Sequence, residues 1–130
     1  MRNEQQLIQL RPDLQLPTVL SKPDEQFQNQ TLRPILKMQH DLLVRLFSSE
    51  ILRRKNVYFK LAKQARLDWI TNSVRADMRL RNLLGGTIIG HFTLEELQTY
   101  EAHEAECARR LVHLIIQRLQ SVDFEAVMQV

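Results

Sequence analysis

The side chains of this 130-residue chain that could hold a metal or move a proton are four histidines, one cysteine and fifteen carboxylates. The nearest approach to a motif is His103-Glu104-Ala105-Glu106-Cys107. It sets an imidazole and a thiol four residues apart, the spacing that aims two zinc ligands from one helical face. A zinc site needs at least one further ligand there, and at about 100° per residue both positions turn away from the apolar stripe. The expected role is therefore a solvated face, with no metal. Di-metal four-helix bundles use Glu-x-x-His, and no glutamate precedes His40, His91, His103 or His113 by three residues. Cys107 has no identifiable base, and Ser48, Ser49, Ser73 and Ser121 sit in no elbow-like turn. Gly85, Gly86 and Gly90 lie inside an apolar helical pattern with no Gly-Lys-Ser/Thr after them, so they read as packing glycines and not as a phosphate loop. No catalytic residue, metal or cofactor is assigned, and the balance leans away from an enzyme.

Polar side chains on the expected inward faces are the more informative anomaly. Gln39 interrupts the face Leu32, Ile35, Leu36, Leu42, Leu43, Leu46; Arg81 lies between Met78 and Gly85, with Asp77 one turn behind; Glu101 and Glu104 interrupt the line from Leu97 to Ala108. Buried charges need partners. One reading is an internal network, Arg81 with Asp77 or Glu104 beside Gln39, that sets helix register. The other is a small pocket in which Gln39, Asp77, Arg81, Glu101 and Glu104 bind an anionic ligand.

Helices must position these groups. Prolines at 12, 17 and 23 rule out a continuous helix over residues 1–23, which read as an extended arm whose Leu7, Ile8, Leu10, Leu14, Leu16, Val19 and Leu20 dock on a bundle of residues 24–130. Thr31 caps a first helix that tolerates Pro34 in its first turn and reaches Arg53. Asn56 caps a short helical piece over 57–64. A long helix spans about 65–90, with Leu67, Ile70, Val74, Met78 and Ile88 at helical spacing. Thr93-Leu94-Glu95-Glu96 is a capping box, and opens a last helix from Leu94 to about Gln120. No apolar–polar alternation is sustained anywhere, so no strand competes. The expected fold is all-α: a bundle of three long helices and one short helix with an extended N-terminal arm.

On a wheel the helix 65–90 is apolar on two sides. Ile70, Val74, Gly85 and Ile88 face one way; Trp69, Ala76, Leu80, Leu83 and the Gly86-x-x-x-Gly90 pair face the other. A helix apolar all round must be covered all round, either as the central helix or by a second subunit on Trp69, Leu83, Gly86 and Gly90.

Apolar residues make up 44% of the chain and charged residues 25%, the composition of an ordinary globular domain. The net charge of +3 is uneven: residues 33–81 hold 12 basic and 4 acidic side chains, whereas residues 82–130 hold 3 and 7. Without a base-reading motif, the basic half supports only non-specific nucleic-acid binding. A lone cysteine closes no internal disulfide, and no apolar run suits a signal peptide or a membrane helix, so the expected setting is cytoplasmic with no membrane partner.

Three stretches, Phe27 to Gln39, Asp77 to Gly85, and Ile89-Gly90-His91-Phe92-Thr93 with Glu96, resemble a family of small uncharacterised bacterial proteins often labelled "glyoxalase". The resemblance covers about residues 24–120. It implies a shared helical fold and brings no activity with it, since metal-dependent glyoxalases are built on βαβββ units and these histidine and glutamate spacings supply no such site. The expected function is a cytosolic, non-enzymatic homodimeric interaction module. An anionic-ligand binder or enzyme is the alternative, and a non-specific nucleic-acid binder stands behind that.

Overall fold

The computed structural model describes residues 2–16 and 22–130, apart from the side chains of Pro23 and Asp24. Every regular element among them is helical, which establishes the all-α class. In chain order these are α1 (Glu4–Gln9), α2 (Pro23–Phe27), a π turn (Gln28–Leu32), α3 (Arg33–Met38), α4 (His40–Arg53), a 3-10 turn (Val57–Lys60), α5 (Lys63–Ala76), α6 (Met78–Ile89), α7 (Leu94–Ala102), α8 (Glu104–Gln120) and α9 (Phe124–Met128).

The three long helices expected from periodicity are each divided. At Gln39 the backbone rotates (φ −91°, ψ 8°), yet Gln39 N–H still donates to Ile35 O and Leu43 N–H to Gln39 O, both at 2.9 Å. That point is a bend. Asp77 makes a true break: its backbone is extended (φ −96°, ψ 102°), and its carboxylate accepts from the N–H of Leu80 at 3.1 Å. A short polar side chain that bonds the backbone locally competes with the helix, and here it starts a new one. His103 is the third interruption, with φ −134° and a bond from its N–H to Tyr100 O, only three residues back. The two other expected caps are not caps. Thr31 lies within the π turn, and its hydroxyl bonds a carboxylate far along the chain. Asn56 is left-handed (φ 59°) and makes no side-chain cap, and the short helix after it contracts to the 3-10 turn.

The break at Asp77 changes the helical phase of the residues after it. Met78 becomes the first residue of α6 and is 64% exposed, although the uninterrupted pattern turned it inward. Leu80, on the second apolar side of the uninterrupted pattern, is buried within the chain. Divided in this way, α5 and α6 can each lie along α8, which also receives α4 and α7 and is the central helix of the bundle. Its Leu111, Ile115 and Leu119 meet a core built from Leu43, Phe47 and Ile51 of α4, Ile70 and Val74 of α5, and Leu84 and Ile88 of α6. Each such side chain contributes roughly 1.5–3 kcal/mol by leaving water.

Two aromatic groups close the core. Phe47, Tyr58, Trp69 and Phe124 stack with centroids 5.5–5.8 Å apart. Phe27, Phe92 and Tyr100 form the other group. Phe124 brings in α9, which Asp123 caps by accepting from Ala126 N–H.

The arm is not extended throughout. Residues 4–9 form α1, capped by the Asn3 side chain, and the arm returns to the bundle at the loop between α6 and α7. Pro17, Val19 and Leu20 of the expected arm lie outside the described residues.

Candidate interaction surface

Two side-chain contacts set how α4 and α6 lie. The Gln39 amide donates to Thr87 O at 3.1 Å, and Arg79 donates to the Glu50 carboxylate at 3.0 Å. The helices are therefore antiparallel neighbours. Leu42 of α4 is 42% exposed and Leu83 of α6 is 44% exposed. Gly86, one turn after Leu83, is exposed, and a Cβ built on it would meet nothing within 4 Å. Gly90 is also exposed, but a Cβ there would lie 3.1 Å from Gly86 O. Of the four residues expected on a second-subunit face, Leu83, Gly86 and Gly90 are thus on the surface. Trp69 is only half-buried but is engaged inside the chain: its ring meets Phe47 and Tyr58, and the Arg54 guanidinium lies 4.5 Å from its centroid.

Beyond the Asp77 end of this face lies a cleft of about 760 Å³, lined in part by Glu50, Arg54, Trp69, Ser73, Asp77 and Arg79. Its arginines are committed. Glu50, whose side chain is only 5% exposed, pairs with Arg79 at 3.0 Å and Arg53 at 3.3 Å. Arg54 donates to Ser73 Oγ at 2.7 Å while covering Trp69. A buried carboxylate held by two guanidinium groups ties the end of α4 to the start of α6, and Arg54 ties it to α5. This network is centred on Glu50, whereas the expected one joined Arg81 with Asp77 or Glu104 beside Gln39.

The five residues expected to share an interior fall in three places. Gln39 is beside Thr87. Asp77 and Arg81 sit toward the start of α6, about 15 Å and about 9 Å from Thr87 at 1.5 Å per residue. Arg81, half-buried, donates to Arg75 O at 2.8 Å, and so satisfies a carbonyl at the end of α5. Bonding from the Leu80 N–H, followed by the charge of Arg79, holds the Asp77 carboxyl below the usual carboxylate range. Glu101 and Glu104 are exposed near the α7–α8 junction. Cys107 also departs from expectation: it is 5% exposed and packs with the core, while His103 is exposed, so the two do not share a solvated face. Starting α8 at Glu104 rather than continuing one helix from Leu94 rotates Cys107 inward.

A second polar centre links the arm to the bundle. The capping box is present, with Thr93 Oγ1 accepting from Glu96 N–H at 3.1 Å and Glu96 Oε1 accepting from Thr93 N–H at 2.8 Å. Both carboxylate oxygens of Glu96 also accept from the Arg11 guanidinium at 2.7 Å, and Thr31 donates to Oε2 at 2.9 Å. Arg11 gives a further bond to His91 O at 2.7 Å. Burial pushes the Glu96 carboxyl up, but these donors outweigh it and hold it below its ordinary value. Sequence reading found Glu96 as a cap; only contact across 85 positions makes it a partner of Arg11.

No known protein family matches the chain, and comparison with curated proteins and with solved structures gives no match. No helix among the described residues is long and apolar enough to cross a membrane.

Proposed function

We propose that this chain is a non-enzymatic helical interaction module that works as a homodimer through the α4–α6 face. The observation that carries this reading is that the antiparallel neighbours α4 and α6 expose a leucine each, Leu42 at 42% and Leu83 at 44%, with Gly86 open one turn after Leu83. A two-fold axis through such a patch buries each leucine twice, and a glycine without neighbours lets the partner backbone approach closely. Nucleic acid is the weaker fit, because the arginines of the adjoining cleft are engaged by Glu50, Ser73 and Trp69. The reading sets the module in a bacterial cytoplasm, with its one thiol buried in the core.

Light scattering at tens of micromolar is expected to report the mass of a dimer, and Gly86→Leu to return a monomer of unchanged helicity. Replacing an exposed helical glycine raises intrinsic helix propensity by roughly 0.5–1 kcal/mol, so dissociation in that variant cannot be ascribed to unfolding. A monomeric wild-type protein at that concentration overturns the proposal.

A further inference from the structure

The arm rests on the bundle in an unusual way. α1 contains no buried residue, and Ile8 and Leu10 are 50% and 61% exposed. Among the described residues its hydrogen bonds to the bundle go to residues 90–96: Arg2 donates to Gly90 O at 2.8 Å, Glu4 accepts from Leu94 N–H at the start of α7, and Arg11 grips Glu96 and His91 O; Leu7, Pro12, Leu14 and Leu16 are half-buried. The pattern is complementary in charge. A carboxylate meets the amino end of a helix, and a guanidinium meets a carboxylate through a two-pronged fork. The Arg11 side chain is 7% exposed and that of Glu96 18%, so the socket desolvates the arginine almost fully. Yet the fit is incomplete. Arg11 Nε and His91 Nδ1 are buried with no hydrogen-bond partner among the described residues, and a hollow of about 520 Å³ remains between arm and bundle, lined in part by Ile8, Arg11, Phe27, Thr31, Thr93 and Glu96.

A deep single-residue anchor on an otherwise shallow strap is the anatomy of a docking site, and its ligand here is a segment of the same chain. We propose that the socket formed by Glu96, Thr31, Thr93 and the His91 carbonyl is a trans docking site for the arm of a second copy, entered through that copy's Arg11. Residues 2–11 of this chain occupy the socket, with the guanidinium of Arg11 complementary in charge to Glu96, and a second copy presents the same sequence. Seated in cis or in trans, the arm makes identical bonds. The two arrangements differ only in effective concentration, set in cis by the tether that follows Arg11. The socket residues Glu96, Thr31, Thr93 and His91 are not among those of the α4–α6 face, which the arm meets only at Gly90 O, and the inference stands without that face.

The test uses a fluorescent peptide of residues 2–16 and the full-length chain carrying Arg11→Ala, its helicity checked by circular dichroism. Anisotropy is expected to show saturable binding to this variant and at least about tenfold weaker binding to the wild-type chain, whose own arm competes at an effective concentration in the millimolar range. Binding is expected to vanish when the peptide itself carries Arg11→Ala, or when the chain carries Glu96→Gln in addition. Glutamine still completes a capping box, so the second change removes the charge without removing the cap. If Arg11→Ala does not fold, Arg11→Lys replaces it, since lysine keeps the charge and loses the fork. Exchange between whole chains is read by native mass spectrometry in a Gly86→Leu background. Arg11→Ala supplies the free socket and Glu96→Gln the free arm, and a mixed pair is expected that neither forms alone. Absence of peptide binding to the folded Arg11→Ala chain, binding indifferent to Glu96→Gln, or chains that never pair on mixing each overturns the proposal. Because peptide binding is independent of oligomeric state, its loss is distinguishable from failure of the dimer face.

Discussion

A guanidinium keeps its charge at any working pH and offers five donors, so the question for each inward arginine is what receives them. Arg79 finds the buried Glu50 carboxylate, Arg54 finds Ser73 Oγ and the Trp69 ring, and Arg11 finds Glu96. Arg81, the one that sequence position marked as central, finds the carbonyl of Arg75 while remaining half-buried. That difference sets its energetic weight. An arginine paired with a buried carboxylate would cost about 3–5 kcal/mol to remove, because the carboxylate is left uncompensated. A hydrogen bond to a helix-end carbonyl is worth about 1 kcal/mol, because water can replace the donor. Arg81→Met is therefore expected to lower the unfolding free energy by about 1 kcal/mol in urea titration. A loss of about 3 kcal/mol or more would assign Arg81 to a buried ion pair after all.

Between elements, the loop from Gly90 to Thr93 carries both the cap of α7 and the seat of the arm, and its protonation couples the two. Burial, with the charges of Arg11 and Arg2 added, holds the His91 imidazole below the ordinary histidine value of 6.5. The folded protein thus binds fewer protons at His91 than the unfolded chain does between the lowered value and 6.5. Stability must fall as pH drops through that window. Glu96 acts further down: its carboxyl is held below the ordinary 4.5, so its contribution is intact above that value and is lost as pH falls through its folded one. The acid side of the stability profile therefore has two limbs. Melting temperature is expected to decline first below about pH 6.5, and again in the carboxylate range. His91→Gln should flatten the first decline and leave the second. A first decline that survives His91→Gln would place its origin at another group. The capping box at the centre of this element was legible because its chemistry is local, two side chains and two amides within four residues. Its Arg11 partner was not, because nothing in sequence spacing says which carboxylate a distant arm will reach.

For the molecule as a whole, the core ends where α9 folds back. Phe124 is 1% exposed, with its ring centroid 5.5 Å from that of Phe47 and 5.8 Å from that of Tyr58. Truncating such a ring leaves a cavity that a well-packed bundle cannot close. Phe124→Ala is expected to cost about 3–5 kcal/mol in chemical denaturation, and a cost below about 1 kcal/mol would detach α9 from the cooperative unit. The all-α class, the end of α4 at Arg53 and the start of α7 at Thr93 could all be read from the order of residues. They rest on apolar periodicity and on caps, which act over one or two turns. The remainder needed the packed molecule. A pattern of period 3.6 runs unbroken through Asp77, so spacing alone does not show that the Asp77 side chain captures the Leu80 amide, divides the helix so that α5 and α6 each lie along α8, and turns Met78 outward and Leu80 in. The same holds for Cys107, placed in the core when α8 restarts at Glu104, and for the polar groups of the interior. Which arginine meets which carboxylate is set by where whole helices cross, and that is a property of the packed core, with no counterpart in the spacing of residues along the chain.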